Sequence, residues 1–185
     1  MDRTPYSAEW LSHWRDDLTH ALTSLLPRFA RTYGYPPDTN EVRAANEQDL
    51  RALRGRAPGL PLCEALLTFY ESIGEVTLPD VGNGYFIHSA HHVLHDLAEN
   101  GPVTLPDPRN PHGTVFASNG GGLLYAIDPH GAVHRSDSAS WHTDFTRTTD
   151  DLPHFLTQLH RQVISFAQPK PSRTGTTYLL SPAGV

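Results

Sequence analysis

Four histidines fall within eight residues: His88, His91, His92 and His95. On one continuous helix, their i,i+3 and i,i+4 spacings would bring several imidazoles near one face, as a zinc site requires. Asp96 stands close enough in sequence to orient one ring. Two features count against a metal. Tyr85-Phe86-Ile87 reads as strand, so His88 and His91 need not share a helix, and no further ligand is singled out elsewhere. The chain also holds twelve histidines, which makes some clustering expected. Surface or capping histidines are therefore the preferred reading, and no cofactor is expected.

Other chemistry-bearing patterns resolve in a similar way. Ser118-Asn119-Gly120-Gly121-Gly122 superficially suggests a phosphate cradle, but a cradle opens a helix and here the strand-like Leu123–Asp128 follows. A glycine-rich β-turn is the expectation. Cys63 falls among apolar neighbours in a predicted helix and reads as a buried thiol. No Gly-x-Ser-x-Gly occurs, and no pair of carboxylates stands out for acid–base work. An enzyme is not expected.

The elements that position these residues follow from periodicity. Ser7 is a good N-cap for a helix whose apolar stripe runs Trp10, Leu11, Trp14, Leu18, Ala21, Leu22, Leu25 and Phe29, with Pro27 expected to kink or end it near Leu26. Residues 33–40 read as a loop. A short helix follows Asn46, with Asp49 in a capping-box position, and stops around Pro58-Gly59. A third helix is expected to open on Pro61 and stop at Gly74. Short strands are expected at 85–88, 103–105, 114–118, 123–128 and 132–135, the last three as an antiparallel meander, with a turn or two of helix over 92–100. A closing helix has Asp150 or Asp151 as cap and Pro153 in its first turn. Helices, then strands, then a helix imply an α+β fold. The divisions are a helical extension over 1–45, one α+β domain over 46–167, and a Pro/Gly-containing tail over 168–185 in which Thr176–Leu180 could add an edge strand.

Composition narrows the function classes. No apolar run is long enough for a membrane span, and the first residues lack the basic and apolar regions of a secretory signal. A single cysteine excludes an intramolecular disulfide and a cysteine-rich zinc site. A cytoplasmic protein is the expectation. The net charge of −6 argues against nucleic-acid binding. Residues 61–145 hold ten acids against only Arg109 and Arg135, so this stretch is suited to steering a basic partner, unless its acids are scattered solvated loop residues.

The order of several segments resembles the SUKH superfamily, the group of Smi/Knr-like proteins. Leu60-Pro61-Leu62 with Leu66 and Phe69-Tyr70 is similar to that family's helix, and Gly82–Phe86 to its following turn and strand. Val115–Ala126 looks like its glycine-rich hairpin, with Asn119 where an acid is common, and Val133 continues the next strand. Asp151-Leu152 with Phe155-Leu156 resembles its closing helix. The resemblance spans about residues 46–166 and implies a curved antiparallel sheet flanked by helices. It also implies a protein-binding module of the bacterial immunity type, which neutralises a cognate toxin, often a nuclease, by occlusion. No catalytic residue is carried over.

An inhibitor of a basic toxin domain should be acidic where it binds. Asp80, Asp96, Glu99, Asp107, Asp128, Asp137 and Asp144 fall on predicted turns or element ends, where acids stay hydrated until contact. Tyr85, Tyr125 and Trp141 are candidate aromatic anchors, each also suited to the core. Two alternatives stand beside it: a regulatory scaffold for an endogenous partner, and a histidine-dependent metalloprotein or hydrolase.

Overall fold

The first helix, α1 (Ala8–Tyr33), forms because its cap and its stripe agree. The Ser7 hydroxyl accepts from the Trp10 amide at 3.3 Å, and Leu11, Trp14, Leu18, Ala21, Leu22, Leu25 and Phe29 all turn inward. In this computed structural model, which describes residues 6–55, 62–109 and 111–168, α1 continues past Pro27. The helix does not end near Leu26, one of the two outcomes expected of the proline. An internal proline costs about 3 kcal/mol, whereas each fully buried Leu or Phe contributes roughly 1.5–3 kcal/mol. Leu25 and Phe29 are both buried, and Tyr33 stacks on Phe166 at 5.8 Å, so packing on both sides of the proline offsets the lost hydrogen bond. Gly34, at φ 84°, ends the helix instead.

The remaining elements are β1 (Glu41–Ala44), α2 (Glu47–Arg54), α3 (Glu64–Ser72), β2 (Ile73–Leu78), β3 (Tyr85–Ile87), α4 (Ala90–Asn100), β4 (Val103–Thr104), β5 (His112–Asn119), β6 (Leu124–Ile127), β7 (Val133–Ser136), β8 (Phe145–Thr149) and α5 (Leu152–Ala167). All strands pair antiparallel in the order β1-β2-β3-β5-β6-β7-β8, with β4 beside β5. The sheet is open and curved, and the fold is α+β with flanking helices. No described helix is long and apolar enough to cross a membrane.

Helices α1, α3 and α5 pack together over the sheet and make the main core, which the N-terminal segment therefore shares with the rest of the chain. The Trp14 indole N–H donates to the Leu156 carbonyl at 2.9 Å, tying α1 to α5. A smaller apolar cluster of Val103, Leu105, Val115, Ala126 and Phe145 forms beneath the β4 segment. The expected meander is present as β5-β6-β7, and β8 extends it.

Four local expectations change. Gly74 does not stop α3; the helix ends at Ser72 and the chain enters β2 directly at Ile73. The glycine instead makes room for Arg43, whose guanidinium lies where a Cβ on residue 74 would be. Cys63 is the N-cap of α3 rather than an interior residue, and it is buried. Helix α4 is longer than expected, eleven residues from Ala90, capped by the Ser89 hydroxyl accepting from the His92 amide. Helix α2 ends earlier than expected, at Arg54 with Gly55 as its cap, short of Pro58-Gly59, and the expectations at Pro61 and at Thr176–Leu180 lie outside the described residues.

Candidate functional site

The four histidines do not converge. His88 lies after β3, held by its own amide donating to the Phe116 carbonyl and its carbonyl accepting from the Tyr70 hydroxyl. Its ring stands 4.8 Å from that of His92. Burial, reinforced by His92 and opposed by Asp96, pushes the His88 imidazole down to about 4. His92 pairs instead with Asp96 at 3.1 Å and His95 with Glu99 at 3.4 Å, both i,i+4 along α4, while His91 faces solvent. Among the described residues no three His, Cys, Asp or Glu side chains are grouped to hold a metal ion. Burial also raises the Cys63 thiol, which suppresses the reactive thiolate.

The acids proposed as a partner surface separate into distinct places. Asp80 fastens a loop: its carboxylate accepts from the Asp38 amide at 2.7 Å and the Asn40 side chain at 2.6 Å. Asp128 is buried at the β6–β7 turn, where it accepts from the His130 and Ala132 amides at 2.8 and 3.0 Å. That is the structural job of an aspartate in an Asx-type turn. Asp107 accepts from the Arg109 amide at 2.9 Å, and with Asp128, Arg147 and Asp150 it lines a mixed-charge cavity of about 350 Å³. Beside this cavity His134 is buried, with both ring nitrogens lacking a hydrogen bond among the described residues; Asp128 is 3.7 Å from its Nε2, beyond hydrogen-bond reach. Burial lowers the His134 pKa, outweighing the opposing pull of Asp128.

A different group does come together. Asp137 and Asp144 face one another where the β7–β8 connection closes, the Asp137 amide donating to the Asp144 carbonyl at 2.9 Å. Both are exposed. Asp144 lines a cavity of about 320 Å³ with Trp141, His142, Thr143, the end of α4 at Asn100, and β4. Glu99 immediately precedes Asn100 and is 62% exposed, and Asp96 lies one turn earlier on the same helix. Trp141 is half-buried against the small apolar cluster, and its indole N–H has no hydrogen-bond partner among the described residues. Among the described residues no Lys or Arg lines this cavity. Trp141 and Asp144 thus line one cavity with the last residue of α4, and Asp137 is joined to Asp144 through the backbone.

Tyr85 belongs to a third concavity, a cleft of about 350 Å³ between the sheet and α5. Tyr125 and Arg135 are register partners on β6 and β7, and Tyr85 is opposite Asn119 on β5. Asn119 shapes the glycine-rich turn, its Oδ1 accepting from the Gly121 and Leu123 amides at 3.0 Å each. This segment joins β5 to β6 and does not open a helix. Gly120 is required here because its amide donates to the Asn83 carbonyl at 2.8 Å, leaving no room for a Cβ. Arg135 and Asn119 were not legible as cleft residues. The available signal was their alternation with Tyr125 and Tyr85 across neighbouring strands.

No protein-family model matches this chain, and neither a curated protein nor a solved structure matches it.

Proposed function

We propose that the chain is a protein-binding module of the toxin-neutralising type its sequence resembles, with a basic protein domain as partner. The observation that carries this reading is the acid-edged concavity at the β7–β8 end. Exposed Asp144 stands beside a half-buried Trp141, Asp137 is joined to Asp144 through the backbone, and among the described residues no lysine or arginine lines the cavity. An aromatic anchor beside hydrated carboxylates is the arrangement by which interfaces combine a central contact with electrostatic steering. Asp96 and Glu99 lie on the last turns of α4, each beside a histidine one turn earlier, His92 and His95.

Asp80 and Asp128 leave the proposed interface, because their carboxylates are committed to internal amides. The pairing of Asp107 with Arg109 also weakens its pull on a cation. A capture experiment from lysate of the source cells at low and high salt tests the proposal. A basic protein should be retained by the wild-type chain, released by salt, and lost with D137K/D144K. Retention of the same protein by D137K/D144K would overturn the assignment of this end as the interface.

A further inference from the structure

The cleft between α5 and the sheet differs in chemistry from the acidic end. Arg135, at its mouth, is one of only two basic residues in the 61–145 stretch. Unlike Arg109, it forms no ion pair among the described residues. Among the described residues no aspartate or glutamate lines the cleft. Tyr125 is its cross-strand neighbour, and Tyr85 lies on the same wall. Neither phenol has a hydrogen-bond partner among the described residues, although both are half-buried. Asn119 uses its carbonyl oxygen to hold the turn, so the group it has left over is its NH2.

The cleft offers a ligand a guanidinium, two phenolic hydroxyls and the Asn119 NH2, beside the amides of Gln158 and Gln162 on α5, which can donate or accept, and no carboxylate is among its described lining residues. Phe155 supplies an apolar wall 5.2 Å from the Tyr125 ring. Burial raises both tyrosine pKa values, so both remain protonated donors at neutral pH. A single free guanidinium matches a carboxylate with its planar fork, whereas a doubly charged phosphate calls for more positive charge than the cleft holds.

We infer that the Tyr85–Tyr125–Arg135 cleft is a binding site for a carboxylate carried on an aromatic body. The carboxylate sits against Arg135 and the phenols, and the ring lies along Phe155 and the tyrosines. The volume is at the lower end of small-molecule sites, enough for one ring and its acid. Such a group reaches the protein either as a free aromatic acid or as the C-terminal aromatic residue of a polypeptide. This site is independent of the acidic end proposed for the protein partner.

Calorimetric titration of the full chain with benzoate, benzamide and N-acetyl-phenylalanine tests it. Benzoate or N-acetyl-phenylalanine should saturate the protein, and the better binder of the two identifies the source. Benzamide, which keeps the ring and loses the charge, should bind about tenfold more weakly than benzoate. R135Q should weaken the acids by a similar factor, Y85F by a smaller one, and D144N not at all, with folding of each variant checked by its melting temperature. Absence of saturation by both acids up to about 20 mM would overturn the inference. So would equal affinity for benzoate and benzamide, or undiminished binding by folded R135Q and Y85F.

Discussion

Replacing Gly74 with alanine should destabilise the protein even though the new residue suits a strand better. Gly74 is an interior residue of β2, where glycine costs roughly 0.5–1 kcal/mol relative to alanine. A Cβ at this position, however, would occupy the space of the Arg43 guanidinium. Arg43 holds Asp49 through two bonds of 2.6 and 3.0 Å, and the Asp49 side chain is only 7% exposed. The bond to Arg43 and the Asn46 amide hold the Asp49 carboxyl below its usual range despite burial. Arg43 is long enough to move aside, so the cost is electrostatic rather than steric: a buried carboxylate loses its cation. Breaking a fully buried pair costs about 3–5 kcal/mol. Partial exposure of Arg43 and the capping-box bond that Asp49 keeps with the Asn46 amide reduce this. Subtracting the glycine-to-alanine gain leaves a net loss of about 2 kcal/mol, or roughly 4–8 °C in Tm for a chain of this size. The same substitution in an R43A/D49N background meets no guanidinium and strands no charge. It should be neutral there, or stabilising by about 0.5 kcal/mol. Thermal and urea unfolding of the four proteins in this cycle measure the coupling. An equal loss in both backgrounds would refute the reasoning, because the glycine would then matter for some reason other than Arg43.

Three further outcomes are expected. W14F removes the indole bond to the Leu156 carbonyl that ties α1 to α5, and should cost about 1–2 kcal/mol in urea unfolding. His88 and His134 both have pKa values lowered by burial, so the unfolded chain binds protons that the folded chain refuses. Stability should therefore fall as pH drops below about 6.5, with His88 contributing down to about 4, and H88Q/H134Q should flatten that part of the stability–pH curve. N119D keeps an oxygen to accept from the Gly121 and Leu123 amides, so it should melt near the wild type, while N119A should lose about 2 kcal/mol. Because N119D places a carboxylate in the cleft near Arg135, it should also weaken benzoate binding.

Much of the fold was legible wherever one local signal matched the tertiary outcome. The stripe from Leu11 to Phe29, the Asn46–Asp49 capping box and the Asp151 cap all appear as the sequence suggests. Pro27 and Gly74 misled for a shared reason. Their backbone preferences are local, and both were overridden by contacts distant in sequence, the α1–α5 packing and the approach of Arg43. The strands β1, β2 and β8 were missed because each lacks a bounded apolar alternation. In β1 only Val42 is buried, β2 follows a helix without a turn, and β8 buries only its end residues Phe145 and Thr149. At the sites, residue type located the acids but not their neighbours. Asp128 and Asp144 look alike in sequence, yet one is spent on backbone amides inside a turn and the other is exposed beside Trp141. Which carboxylates remain free depends on turn geometry. The cleft needed the register of β3, β5, β6 and β7 to bring Tyr85, Asn119, Tyr125 and Arg135 to one wall.

The most direct test of the protein-binding account is the association rate of the wild-type chain with the basic protein it captures, followed across ionic strength beside D137K/D144K and W141A. The account predicts a wild-type rate that falls steeply with salt. The charge-reversed variant should associate about tenfold more slowly at low salt with a flattened dependence, while W141A should mainly speed dissociation. Identical association rates and salt slopes for wild type and D137K/D144K would contradict it.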